Sequence, residues 1–97
     1  PIQNIIELVS KKWVLHIFKA LTSGVETFSG FQKEISGINS RILSERLVEL
    51  ENHGFIERRI VSERPVKIKY LPTSRVFDLV KEFDRIEGVI RSWEKKD

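Results

Sequence analysis

Asn39-Ser40-Arg41-Ile42-Leu43-Ser44-Glu45-Arg46-Leu47-Val48-Glu49-Leu50-Glu51-Asn52-His53-Gly54-Phe55-Ile56-Glu57-Arg58-Arg59-Ile60-Val61-Ser62-Glu63-Arg64-Pro65-Val66-Lys67-Ile68-Lys69-Tyr70 is the stretch that decides the fold of this 97-residue chain. Leu43, Leu47 and Leu50 recur at i, i+4 and i+7, which sets them on one side of a helix that starts at Asn39 or Ser40. Arg41, Glu45, Val48 and Asn52 fall on the opposite side, with Ser44 on a flank. Gly54 ends the helix, and two β-rich runs follow, Phe55 to Val61 and Val66 to Leu71, around a polar turn at Arg64 and Pro65. Ile68 and Tyr70 alternate with Lys67 and Lys69, so the apolar pair points inward and the lysines outward. A helix stopped by glycine and continued as a basic hairpin predicts a winged helix-turn-helix, an architecture that sets a helix in the DNA major groove and a hairpin beside the backbone.

Upstream residues complete the helix-turn-helix. Ile2, Ile5, Ile6 and Val9 have helical spacing, and Ser10 is placed to cap a second helix whose stripe is Trp13, Val14, Ile17, Phe18 and Leu21. Ser23-Gly24 ends that helix, and Val25 to Phe28 is short and β-prone. Ser29 then caps a brief helix through Phe31 and Ile35, closed by Ser36-Gly37. A short helix, a glycine turn and a second helix form the unit.

Downstream, Pro72-Thr73 breaks the strand and Thr73 is placed to cap a last helix. Val76, Leu79, Phe83, Ile86, Ile90 and Trp93 recur there at alternating steps of three and four, and Val80 and Val89 broaden the stripe. Such a seam is about 30 Å long at 1.5 Å per residue, more than one small core absorbs. The surplus, with the N-terminal helix, predicts a dimer surface. The expected fold class is therefore α+β: a winged helix-turn-helix with a two-stranded wing and added N- and C-terminal dimerisation helices.

Composition narrows the function classes. A 40% hydrophobic and 32% charged chain of this length fits one soluble globular domain. No apolar run approaches a membrane span, no signal peptide is present, and the absence of cysteine removes disulfides and thiolate sites. A cytoplasmic protein without membrane contact is expected, and the start at Pro1 reads as a processed or trimmed terminus. The net charge of +3 is modest, but the hairpin holds +3 by itself: Arg58, Arg59, Arg64, Lys67 and Lys69 against Glu57 and Glu63. His16 and His53 stand far apart with no ligand partners, so no metal or cofactor is expected, and His53 reads as a C-terminal helix cap. No phosphate loop, nucleophile elbow or metal-spaced cluster supports catalysis.

The residues resemble the HxlR family of bacterial and archaeal transcription regulators, a winged-helix group related to the MarR regulators. Lys12-Trp13 resembles the family's opening of the second helix, and Ile38 to Glu51 its recognition-helix signature. Gly54-Phe55-Ile56-Glu57-Arg58 resembles the strand that follows, and Pro65-Val66-Lys67-Ile68-Lys69-Tyr70 its wing, with Trp93 in the C-terminal helix. The resemblance spans nearly the whole chain and implies one domain over 1–97: an N-terminal helix at 1–10, a winged-helix core at 11–72 and a C-terminal dimerisation helix at 73–97. It further implies a homodimer that binds double-stranded operator DNA. The sequence departs from the family at Glu45, where glutamine is usual, at Val66 in place of a second wing proline, and at Val76 in place of a glycine. No cysteine lies near the N-terminus, which excludes thiol sensing and leaves any small-molecule effector unidentified.

The candidate DNA contacts are Ser29, Ser40, Arg41, Ser44, Glu45, Arg46, Val48, Arg64, Lys67 and Lys69. The candidate dimer surface is Ile2, Ile5, Ile6, Val9, Leu79, Phe83, Ile86, Ile90 and Trp93. Plainer readings compete: a solvated helix face for Arg41 to Val48, and edge-strand lysines that block sheet pairing for Lys67 and Lys69. Glu45 is the awkward member, because phosphates repel a carboxylate. It must accept from a cytosine amino group, hold Arg41 or Arg46, or stay clear of the duplex. The competing function class is a winged-helix protein–protein module that reads no DNA.

Overall fold

Apolar residues from five helices and the root of a hairpin meet in one core. In the computed structural model, which describes residues 1–94, the elements are α1 (Ile2–Val9), α2 (Val14–Thr22), α3 (Phe28–Glu34), α4 (Ser40–Asn52), β1 (Ile56–Glu63), β2 (Val66–Pro72) and α5 (Ser74–Glu94). The last three positions of the expected 73–97 helix lie outside the described residues. Val14, Ile17, Phe18 and Leu21 of α2 pack against Phe31, the three leucines of α4, Phe55 and Val76, all buried. Each such side chain contributes about 1.5–3 kcal/mol by leaving water. This is the α+β winged helix-turn-helix with a two-stranded wing and helices added at both ends.

Several local expectations are corrected. Ser10 ends α1, its N–H donating to the Ile6 carbonyl at 3.0 Å while Lys11 N–H donates to that of Leu8 at 3.1 Å, instead of capping α2. Trp13 precedes α2 in a left-handed conformation (φ 82°) and so stands outside the helical stripe. Its ring packs beside His16 and under the Lys12 ammonium, 5.0 Å from the centroid. Thr27, not Ser29, caps α3: its hydroxyl oxygen accepts from Gly30 N–H at 3.1 Å, and Ser29 sits exposed in the first turn. Val25 to Thr27 forms no strand, although the Glu26 carbonyl accepts from Tyr70 N–H at 2.7 Å, one rung along the outer edge of β2. Thr73 spends its hydroxyl on the Gly54 and Phe55 carbonyls, at 2.7 and 3.1 Å, which pins the start of α5 to the end of α4.

The α5 seam divides. Val76 is fully buried, and Leu79, Val80 and Phe83 pack on the core. Beyond them Ile86, Val89, Ile90 and Trp93 are 44–63% exposed. A 21-residue helix outruns a core this small, and the chain is accordingly long and thin, 57 × 32 × 23 Å. The N-terminal helix divides likewise. Leu8, absent from the expected apolar set, is its buried anchor, Ile5 and Val9 are partly buried, and Ile2 and Ile6 are 77% and 55% exposed. The core therefore draws on residues outside 11–72, through Leu8 and Val76.

Candidate nucleic-acid interface

Presentation of α4 begins with its caps. Asn39 Oδ1 accepts from Ile42 N–H at 2.8 Å, which fixes the N-terminus one residue before Ser40. The preceding turn reverses at Gly37 (φ 88°), a backbone state that costs a side-chain-bearing residue about 1 kcal/mol or more. At the other end His53 Nδ1 lies 2.9 Å from the Glu49 carbonyl, and Arg75 donates to the His53 carbonyl at 3.0 Å. Gly54 follows with φ 76°, turning the chain into β1.

With Leu43, Leu47 and Leu50 buried, Ser40, Arg41, Ser44, Glu45 and Val48 are driven outward. Arg41 and Glu45 keep their side chains 73% and 48% accessible, and Val48 is 55% exposed. Arg41 Nη1 donates to Glu45 Oε1 at 3.0 Å, so Glu45 holds Arg41, one of the three roles open to it. Arg46 is otherwise engaged. It donates to Glu49 at 2.9 Å and to the Lys12 carbonyl at 3.3 Å, and only 15% of its side chain is exposed. Lys11 also pairs with Glu49, so the α1–α2 junction is clamped to α4. The Lys11 bond, more than that of Arg46, holds the Glu49 carboxyl below its ordinary range, against the opposing effect of burial. The sequence offers no local sign of this clamp, because its partners lie 34 and 38 positions apart.

The wing is an antiparallel pair in the register Ile60↔Ile68, Arg59↔Lys69 and Arg58↔Tyr70. An irregularity between Ile60 and Ser62 shifts the pairing toward the tip. Its charges are unequally available. Arg59 is bonded to Glu57 at 2.7 Å, and Lys69 lies 3.7 Å from Glu26. Among the described residues Arg58, Arg64 and Lys67 have no ion pair, and all three are exposed. Arg58 contributes to the hairpin's charge without being among the candidate contacts read from the sequence; its exposure adds it to them.

The groups that could do chemistry are sparse. Among the described residues no three His, Cys, Asp or Glu side chains converge on a metal site, and no helix is long and apolar enough to cross a membrane. What the described residues do offer is a polar helix face and a basic hairpin, a combination suited to a polyanionic duplex.

Known proteins share this arrangement. The HxlR-like helix-turn-helix family model matches residues 8–97. The HTH-type transcriptional regulator YvaP of Bacillus subtilis (strain 168) is 35% identical over 91 residues, 94% of this chain and 81% of that protein. The reduced form of the transcriptional regulator YodB from B. subtilis superposes with a TM-score of 0.78 at 30% identity, covering 89% of this chain and 84% of that one. A possible HxlR family transcriptional factor from Thermoplasma volcanium GSS1 shares the fold, with a TM-score of 0.78 at 24% identity over 95% of this chain and 83% of that one.

Proposed function

The chain belongs to the HxlR-like helix-turn-helix family, a family of DNA-binding transcriptional regulators and not of enzymes, and from that premise we propose that it acts as a homodimer on a specific operator. Residues 1–97 work as one unit in this reading, with α1 and the distal half of α5 as the dimer surface. Each protomer sets the N-terminal turns of α4 in a major groove, and Arg64 and Lys67 of the wing meet the flanking backbone. Phosphate contacts supply most of the affinity, and the α4 face supplies the sequence preference.

The observation that carries this reading is the division of α4: three leucines buried on one side, and Ser40, Arg41, Ser44, Glu45 and Val48 turned outward on the other beside a basic wing. For dimerisation, the support is the exposure of Ile86, Val89, Ile90 and Trp93, together with that of Ile2 and Ile6, among the described residues. A protein-docking role without DNA reading predicts association that is insensitive to salt. The test is a titration of labelled genomic duplex fragments across ionic strengths, followed by mapping of the bound sites. Tight, salt-steep binding at discrete palindromic sites is expected; weak binding without site preference would remove the proposal.

A further inference from the structure

The Arg41–Glu45 pair lies on the outward face of α4, with side chains 73% and 48% accessible. An exposed pair at i, i+4 adds only about 0.3–0.5 kcal/mol to a helix, so stability is a weak reason to place it there. Its chemistry offers a stronger one. Arg41 spends one N–H on Glu45 Oε1, and a guanidinium carries five donors. Glu45 Oε2 has no hydrogen-bond partner among the described residues. The face thus presents two or more donors fixed beside one open acceptor.

In the major groove a guanine·cytosine pair shows, in order, two acceptors (guanine N7 and O6) and one donor (cytosine N4–H). An adenine·thymine pair shows acceptor, donor, acceptor and a methyl group. The donor–donor–acceptor order of Arg41 and Glu45 complements the first pattern and clashes with the second. Holding Arg41 against Glu45 also removes rotamer freedom before binding, and a carboxylate that meets cytosine N4–H offsets part of its repulsion by phosphate.

We propose that Arg41 and Glu45 act as one reading unit that recognises a single guanine·cytosine pair in each half-site, Arg41 on guanine and Glu45 on the paired cytosine. This rests on the reading of α4 as the groove-entering helix. Glu45 has two roles here: it positions Arg41, and it is itself a specificity-determining contact. Exposed Val48, one turn further on, remains available to a thymine methyl and takes no part in the unit.

The test begins with selection of bound duplexes from a random pool by the intact protein. In the selected site each guanine is then replaced by 7-deazaguanine, which lacks N7, and each cytosine by N4-methylcytosine, which loses the groove-facing donor. At one base pair per half-site both replacements should weaken the unmodified protein by roughly tenfold to a hundredfold. Arg41→Ala should lose the response to 7-deazaguanine there, and Glu45→Ala the response to N4-methylcytosine. The conservative Glu45→Gln variant keeps an acceptor, so it should retain part of that response and confirm that the helix is intact. A Glu45→Ala protein as sensitive to N4-methylcytosine as the unmodified one overturns the assignment while leaving a groove-reading helix in place. A pool that enriches no sequence with any of these proteins overturns the assignment and the operator reading together.

Discussion

Ile86→Asp combined with Ile90→Asp is the sharpest perturbation of the proposed dimer. The two side chains are 53% and 44% exposed in the protomer and stand outside the packed core. Fully burying an isoleucine is worth about 1.5–3 kcal/mol, so the half left over on each carries about 1 kcal/mol for an interface. Two positions on each of two protomers give about 4 kcal/mol, or roughly a thousandfold in the dissociation constant. The cost of desolvating the new carboxylates adds to that figure. Phe83 is the wrong target despite its place in the seam, because it already packs on its own core and its loss would confuse unfolding with dissociation. Sedimentation velocity at micromolar concentration should show a dimer for the unmodified chain and a protomer for the variant, with helical circular dichroism retained by both. A variant that stays dimeric, or an unmodified chain that sediments as one protomer, would refute the reasoning.

Three further outcomes are expected. Replacing Arg64 and Lys67 with alanine should lower the slope of log affinity against log salt by about 0.9 for each phosphate no longer neutralised; Lys69→Ala should do less, since Glu26 already lies 3.7 Å from its ammonium. Arg46→Ala should cost about 1–3 kcal/mol of stability in urea unfolding, because it strips charged hydrogen bonds from a mostly buried site, whereas Arg41→Ala should stay within about 0.5 kcal/mol. The third concerns acid. Glu49 is held below its ordinary pKa of 4.5 by Lys11 and then Arg46, so its stabilisation is complete above that value and is lost as pH falls through the lower folded value. Glu49→Gln should therefore be less stable than the unmodified protein at neutral pH, with the gap closing as acid is added; a gap that stays constant with pH would show that the clamp contributes nothing through charge.

The sequence by itself determined whatever depends on short-range periodicity and backbone chemistry. The i, i+4, i+7 leucines of α4 set its buried face, Gly54 its end, and the alternation from Val66 to Tyr70 the wing, because each signal is completed within a few residues. His53 at the end of its helix was legible for the same reason. Caps were less secure. Asn39 was one of two options at α4, but Ser10, Ser29 and Thr73 each had a local motif and took another role once tertiary packing set the chain's direction. Tertiary structure alone decided which charges remain available: Glu49 takes Lys11 and Arg46 from either side of the clamp, Glu26 reaches Lys69, and Arg64 and Lys67 are left unpaired among the described residues. It also divided the α5 seam, since periodicity marks a stripe as apolar but only the finite reach of the core determines where that stripe ceases to be covered. Leu79, Val80 and Phe83 pack on the core, whereas Ile86, Val89, Ile90 and Trp93 stay exposed even though Glu87 among them still pairs with Lys19 of α2, so one repeating pattern yields a core and an open face.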